Sequence, residues 1–455
     1  MAHGQTAPTA VQASSTRLTP GRPGPRVPHT GRPRTDEITR HPGSGGGGRH
    51  AADRRGAPAP VREAGEAADA RAPETALLWP GTTGSVRGTP ARRPGSVRRT
   101  ISVMMERPAG LTGPLHLSGI GRDLLTTRDG GAVVLGEARL RIVLDYMAAP
   151  GTVLEIESEP AVPALPGLVG VSTRAGFRSA ARRALLGDSA GAGAGTGQVG
   201  AGSAGAETAR SLLGQLLDDV PVAVLVSGAA LGRNGIFRTE STPNAGAESG
   251  GNPMLDVCAG WQQDGLLARL SAERRANPAT PVQAISVPAG DLGLEDDPQG
   301  WHPLPAMSEH AMRRLRRIDV IPVGTEGDPA AAPAATAPGA APAGAGVRVD
   351  ALFRDTYLEG PGREVVVHEY GVEADVDGAG LITRSAARAG VLPGRECPEA
   401  LGSAGRIVGL PAAGLRREVS RTFAGTSTCT HLNDTLRALG DLPDLIACLG
   451  HRGDD

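Results

Sequence analysis

The sequence predicts an α+β protein, with two similar hairpin–helix–helix units forming one globular body behind a long disordered N-terminal arm. Three observations carry this prediction. Strand-like alternation comes in closely spaced pairs, amphipathic helical stretches follow each pair, and the order hairpin, helix, helix occurs twice.

The arm comes first. Residues 1–100 show no sustained apolar periodicity and are rich in Pro, Gly and Arg, including the run Gly45 to Gly48. They hold 16 Arg against 7 acids, whereas the remainder holds 31 Arg against 41 acids. A basic arm can attract nucleic acid non-specifically. Trp79 is its only stacking platform, so no specific nucleic-acid partner is expected. Met104 and Met105 lie in frame just before the first clear pattern, which raises an over-extended gene start as an alternative. On this reading residues 1–104 are the arm, 105–327 the first unit with its connections, and 347–449 the second unit.

Order is expected from about Leu115. Arg139 to Tyr146 and Thr152 to Ser158 alternate as strands around Ala149-Pro150-Gly151, a hairpin signal. Ala175 to Leu186 reads as an amphipathic helix with Phe177, Ala181 and Leu185 on one face and Gly187 at its end. A second helix, Glu207 to Leu217, leads through Asp218-Asp219-Val220-Pro221 into an expected buried strand, Val222 to Val226. Arg316 to Ile321 and Val347 to Leu352 alternate as strands on either side of the Ala/Pro/Gly run 328–346. That run is either an interdomain linker or a long loop between paired strands. The likeness of its flanks favours the loop.

The second unit repeats the order. Val365 to Val376 and Leu381 to Ser385 form a hairpin across Asp377-Gly378-Ala379-Gly380. Helices follow over Ala413 to Phe423 and about Cys429 to Leu439. Leu168-Val169-Gly170-Val171 matches Ile407-Val408-Gly409-Leu410, and Leu217-Asp218-Asp219-Val220-Pro221 matches Leu439-Gly440-Asp441-Leu442-Pro443. Cys429 and His431 have no counterpart in the first unit.

Composition narrows the function classes. The chain has 455 residues, with 66 Gly, 38 Pro and 2% aromatics, and every one of its 47 basic residues is Arg. That usage looks like a GC-rich genome, and a phosphate-binding loop lysine is ruled out. The longest apolar stretch, Val220 to Leu231, is interrupted by Ser227 and Gly228 and is too short to span a bilayer. The four cysteines are far apart and no apolar leader precedes them, so a cytoplasmic protein with reduced thiols is expected, with no membrane partner.

Two textual motifs fail on context. Gly195-Thr196-Gly197-Gln198-Val199-Gly200 fits a dinucleotide-binding string, but a helix and not a strand precedes it. Gly187-Asp188-Ser189-Ala190-Gly191 fits a nucleophile elbow and fails for the same reason. The remaining chemistry lies in Cys429-Thr430-His431-Leu432, at a helix start after the cap candidates Thr426, Ser427 and Thr428. A helix N-terminus lowers a thiol pKa and favours neutral imidazole. Cys429, His431 and Asp219 are therefore candidate catalytic groups, with Asp218-Asp219 a carboxylate pair whose repulsion raises one pKa. Cys397, Cys429, His431 and His368 are candidate metal ligands, although no zinc-type spacing is present.

Several strings together resemble a family known as domain of unknown function 2889, an actinobacterial family. They include Leu-Leu-Asp-Asp-Val-Pro (216–221), Val-Cys-Ala-Gly-Trp (257–261), Gly-Trp-His-Pro-Leu-Pro (300–305), Arg-Arg-Ile-Asp-Val (316–320), Phe-Arg-Asp-Thr-Tyr (353–357), His-Glu-Tyr (368–370), Glu-Cys-Pro (396–398) and Cys-Thr-His-Leu (429–432). The resemblance is strongest over 347–445 and implies one family unit, without an activity. The expected function is a Cys/His-dependent enzyme or metal-binding protein acting on a small molecule. The alternative is a non-catalytic protein that binds a partner in an apolar groove between the two units. The sequence specifies neither a cofactor nor an oligomeric state.

Overall fold

A computed structural model describes residues 78–86, 88–149, 151–187, 201–236, 252, 254–277, 286–323 and 346–450. The Gly195–Gly200 string, most of the arm and most of the 328–346 run lie outside the described residues.

One antiparallel sheet organises the chain. Its first four strands are β1 (Val97–Glu106), β2 (Leu115–Thr126), β3 (Ala132–Asp145) and β4 (Thr152–Glu159). After the short β5 (Val287–Pro288) come β6 (Met312–Pro322), β7 (Val347–Gly360), β8 (Arg363–Val376) and β9 (Ile382–Ala389). The order across the sheet is β4-β3-β2-β1-β6-β7-β8, with both β9 and β5 on β8. The expected hairpins β3–β4 and β8–β9 are present. Strands β6 and β7 pair directly from Met312–Tyr357 to Pro322–Val347, so the 328–346 run joins neighbouring strands.

The expected start of order is corrected. Strand β1 lies at the centre of the sheet, paired on both sides, and Met104 and Met105 are inside it. A boundary at 104 therefore cuts a strand. The sequence signal was masked because the strand begins Val-Arg-Arg-Thr, and its buried arginines read as part of a basic arm.

Helices cover one face of the sheet. These are α1 (Phe177–Leu186), α2 (Ala201–Val226) and α3 (Gly228–Arg233) over the first half, and α5 (Leu415–Thr422), α6 (Thr430–Ala438) and α7 (Leu442–Cys448) over the second. A further helix, α4 (Leu266–Ala276), lies in the connection. The strand expected at Val222–Val226 is the last part of α2, which runs through Pro221. A proline inside a helix costs about 3 kcal/mol. Leu213, Leu216, Leu217, Val220, Ala223 and Val224 offset it by packing at helical spacing into the first-half core. A short apolar run has no period of its own, and the pattern upstream decides its state. The stretch Gly205–Arg233 is apolar and long enough to cross a membrane, but 72% of its apolar window is buried in the fold, as in a core helix.

The halves share local geometry. Each has a register shift at an Asp in its second strand, Asp123/Leu124 in β2 and Asp355/Thr356 in β7. The N–H of Val153 bonds to Val171 O and that of Gly170 to Val153 O; Ile382, Leu410 and Gly409 repeat the pattern. Helices α1 and α5 both start from a left-handed glycine, Gly176 (φ 76°) and Gly414 (φ 85°), a conformation that a side chain would strain. Two apolar cores form, one around Leu140, Phe177 and Leu216 that also takes in Met312, Tyr357 and Val365, the other around Phe353, Val372 and Leu436 that also takes in Val97 and Leu125.

Candidate functional site

Between these two cores the sheet carries charge. Arg99 of β1 and Arg314 of β6 point toward the helices and are almost fully buried. Buried arginines must be paired. Arg99 donates through Nε and Nη2 to the two oxygens of Asp123 at 2.7 and 2.6 Å. Arg314 donates in the same way to Asp355, at 2.9 Å for both bonds. Each third nitrogen reaches the other half: Arg99 Nη1 lies 2.8 Å from Asp441, and Arg314 Nη1 lies 3.9 Å from Asp219.

The pairs join into a network. Asp219 holds Arg316 at 2.7 Å. Asp218 lies 3.0–3.1 Å from each of Arg178, Arg416 and Arg437. Arg416 also reaches Asp441 at 2.7 Å, and Asp434 contacts Arg437, Arg178 and Arg314. Six arginines and six aspartates balance.

Asp218-Asp219 is therefore no proton-sharing pair. Burial works against ionisation of Asp218, but Arg437, Arg416 and Arg178 outweigh it and hold its pKa well below the usual carboxylate range. Asp219, expected to be catalytic, is placed as a counter-ion. For Arg314 too burial opposes the charge, yet Asp355, Asp219 and Asp434 keep it firmly protonated.

Two histidines sit at one end of this network. His368 faces Asp355 across the β7–β8 ladder. His431, in the first turn of α6, stacks on it with ring centroids 3.7 Å apart. His368 Nδ1 and His431 Nε2 lie 3.8 and 4.0 Å from Asp355 Oδ2, too far for hydrogen bonds. Both nitrogens are buried without a hydrogen-bond partner. Among the described residues this is the one group whose ligand-type atoms all lie within 4.8 Å of one another. Unsatisfied buried polar atoms cost about 1–3 kcal/mol each, so an occupant contacting the two ring nitrogens would recover that cost.

Burial, reinforced by Arg314, lowers the pKa of His431 to about 3. Burial and the neighbouring ring also push His368 well below its ordinary value. Both imidazoles are neutral at pH 7, as metal ligation requires. The unfolded chain takes up protons on these histidines below about pH 6.5 while the fold refuses them. Stability is present above that value and falls as the pH drops toward about 3, the range set by His431 and by His302, which burial likewise lowers to about 3. The loss approaches about 1.4 kcal/mol per pH unit for each such histidine. Urea midpoints in chelator at pH 7.5 and 5 check it, and His431→Gln should flatten the slope; an unchanged slope refutes the assignment.

The thiols depart from expectation. Cys429 caps α6 with extended backbone, and its Sγ lies 3.9 Å from His431 Nδ1, on the ring edge away from Asp355. The helix terminus was expected to lower its pKa; instead burial, with Cys258 nearby, raises it to about 11. Burial and Cys429 likewise raise Cys397, whose Sγ packs against Gly260 and Gly394 outside the ligand group. Of the expected ligands the structure brings together His368 and His431, and it adds Asp355. Asp355 was legible only as part of the Phe-Arg-Asp-Thr-Tyr string. A firmer signal lies in β6, where the adjacent pairs Arg313-Arg314 and Arg316-Arg317 put arginine on both faces of a strand that cannot present every one of them to water.

The first half holds a comparable Arg–Asp fork, Arg99 on Asp123, without the imidazoles. Gly136 faces Asp123 where His368 faces Asp355. A Cβ on Gly136 would meet Thr208 Cγ2 at 2.8 Å, so helix α2 closes that space. Ser211 Oγ accepts from Arg99 where Asp434 accepts from Arg314.

No curated protein and no solved structure matches the chain. A family model described as protein of unknown function (DUF2889) matches residues 335–443. The stretch that carries Asp355, His368, Cys397, Cys429 and His431 is thus the part of the chain that resembles the DUF2889 family.

Proposed function

We propose that this chain is a metal-dependent protein acting on a small molecule, and that its ion is held by Asp355, His368 and His431. One observation carries the reading: two buried imidazole nitrogens without hydrogen-bond partners and a carboxylate oxygen lie within 4.8 Å of one another. Imidazole and carboxylate together suit zinc, iron and related divalent ions. An ion about 2.0–2.2 Å from each atom draws the three modestly closer.

We also read the two halves as a duplicated unit. The matching bulges, the left-handed helix starts and the paired Arg–Asp forks support this. On that reading the Arg–Asp scaffold serves the fold, since it occurs twice. The histidines serve function, since Gly136 and Thr208 occupy the corresponding places in the first half. A buried Arg–Asp network lies where the two halves meet, and this favours the metal reading over a partner held in an apolar groove there. Four free, buried cysteines fit a reducing cytoplasm, and the lysine-free composition fits a high-GC, actinobacterial source.

Metal analysis and calorimetry with zinc or cobalt test the reading. One ion per chain is expected. His368→Asn and His431→Asn are each expected to weaken binding by more than about tenfold, while Cys397→Ser and Cys429→Ser retain it. Failure of the full chain to bind either ion stoichiometrically rejects the reading.

A further inference from the structure

We propose that the Asp355–His368–His431 site takes a small anion together with its metal ion; this deepens, and rests on, the metal reading above. The first reason is charge. The arginine–aspartate network is already balanced, and both oxygens of Asp355 are committed to Arg314. The two imidazoles are neutral ligands. A divalent ion therefore brings positive charge for which the protein supplies no free counter-charge. Asp355 is fully buried and His431 is 9% exposed, so water screens little of that charge. Buried charges persist only when compensated.

The second reason is coordination. Three protein ligands leave at least one position open. The nearest further candidates do not fill it. Cys429 faces the other edge of the His431 ring, and Arg314 is itself a cation. Arg314 Nη1 is the least committed of the three guanidinium nitrogens, with contacts of 3.4 Å to Asp434 and 3.9 Å to Asp219. It can donate to an anion seated beside Asp355. Stacking of the two imidazoles and the Phe353 ring 5.9 Å from His431 confine the space. The anion is accordingly small: hydroxide formed from bound water, or an external ion of a few atoms.

The test titrates cobalt(II) into the full chain in a non-coordinating buffer at pH 7.5, with and without azide. Coupled binding predicts that azide tightens cobalt binding by about 5- to 150-fold, and that cobalt tightens azide binding by the same factor. Where hydroxide is the anion, cobalt binding alone releases protons, counted by calorimetry in two buffers, and azide suppresses that release. Cobalt affinity that ignores azide, with no proton release, overturns the inference and leaves the metal reading standing. A sulfur-to-cobalt charge-transfer band that disappears in Cys429→Ser also overturns it, because the protein would then supply the negative charge. Absence of cobalt binding under every condition rejects the metal reading itself.

Discussion

Arg314→Leu is expected to destabilise the protein by about 3–5 kcal/mol, the range for breaking a buried ion pair from one side. Asp355 would lose both bonds of its fork and Asp434 one of its partners, in a place that water does not reach. Arg99→Leu should cost a similar amount, because it strips Asp123 and Asp441 in the same way. Replacing Arg314 and Asp355 together by leucine should recover part of the loss, since two apolar groups leave fewer orphaned charges than one. Urea midpoints followed by circular dichroism measure all of these. A loss below about 1 kcal/mol for Arg314→Leu, the value of an exposed pair, would mean that the seam is solvated and would remove the charge argument for the anion.

A chain begun at Met104 is expected not to fold. It lacks Val97 to Val103, which pair with β2 on one side and β6 on the other and so connect the two halves of the sheet. It also lacks Arg99, leaving Asp123 unpaired, and Ile101, a fully buried core residue. A chain begun at Ala76 keeps every described residue and is the control. The control is expected to unfold cooperatively in urea, whereas the Met104 chain should be insoluble or show no transition. Cooperative unfolding of the Met104 chain would contradict the central position of β1.

How much of this was legible follows from what each signal measures. Period-two alternation exposed β3 and β4, where one face meets apolar core and the other meets water, and glycine turns with apolar residues marked β8 and β9. Helical spacing and glycine stops placed α1, α5 and α6 to within about two residues, the usual uncertainty of helix ends. Alternation could not expose β1, where both neighbours are strands, both faces are buried, and Arg98 and Arg99 lie on opposite faces. Nor could a five-residue apolar run after Pro221 declare itself helical without the helix that leads into it from Ala201.

The sequence by itself determined an α+β fold and drew attention to Cys429-Thr430-His431-Leu432. It identified His368 and His431 as worth attention. Tertiary structure alone decided their partner and their chemistry. Asp355 and Arg314 come from other strands, and only sheet register sets them beside the histidines. Burial then acts against charge and against the helix terminus, so the Cys429 thiol stays protonated and the imidazoles stay neutral. The focus passes from the thiol to the ring nitrogens, because desolvation depends on what packs around a group and not on its neighbours in the chain.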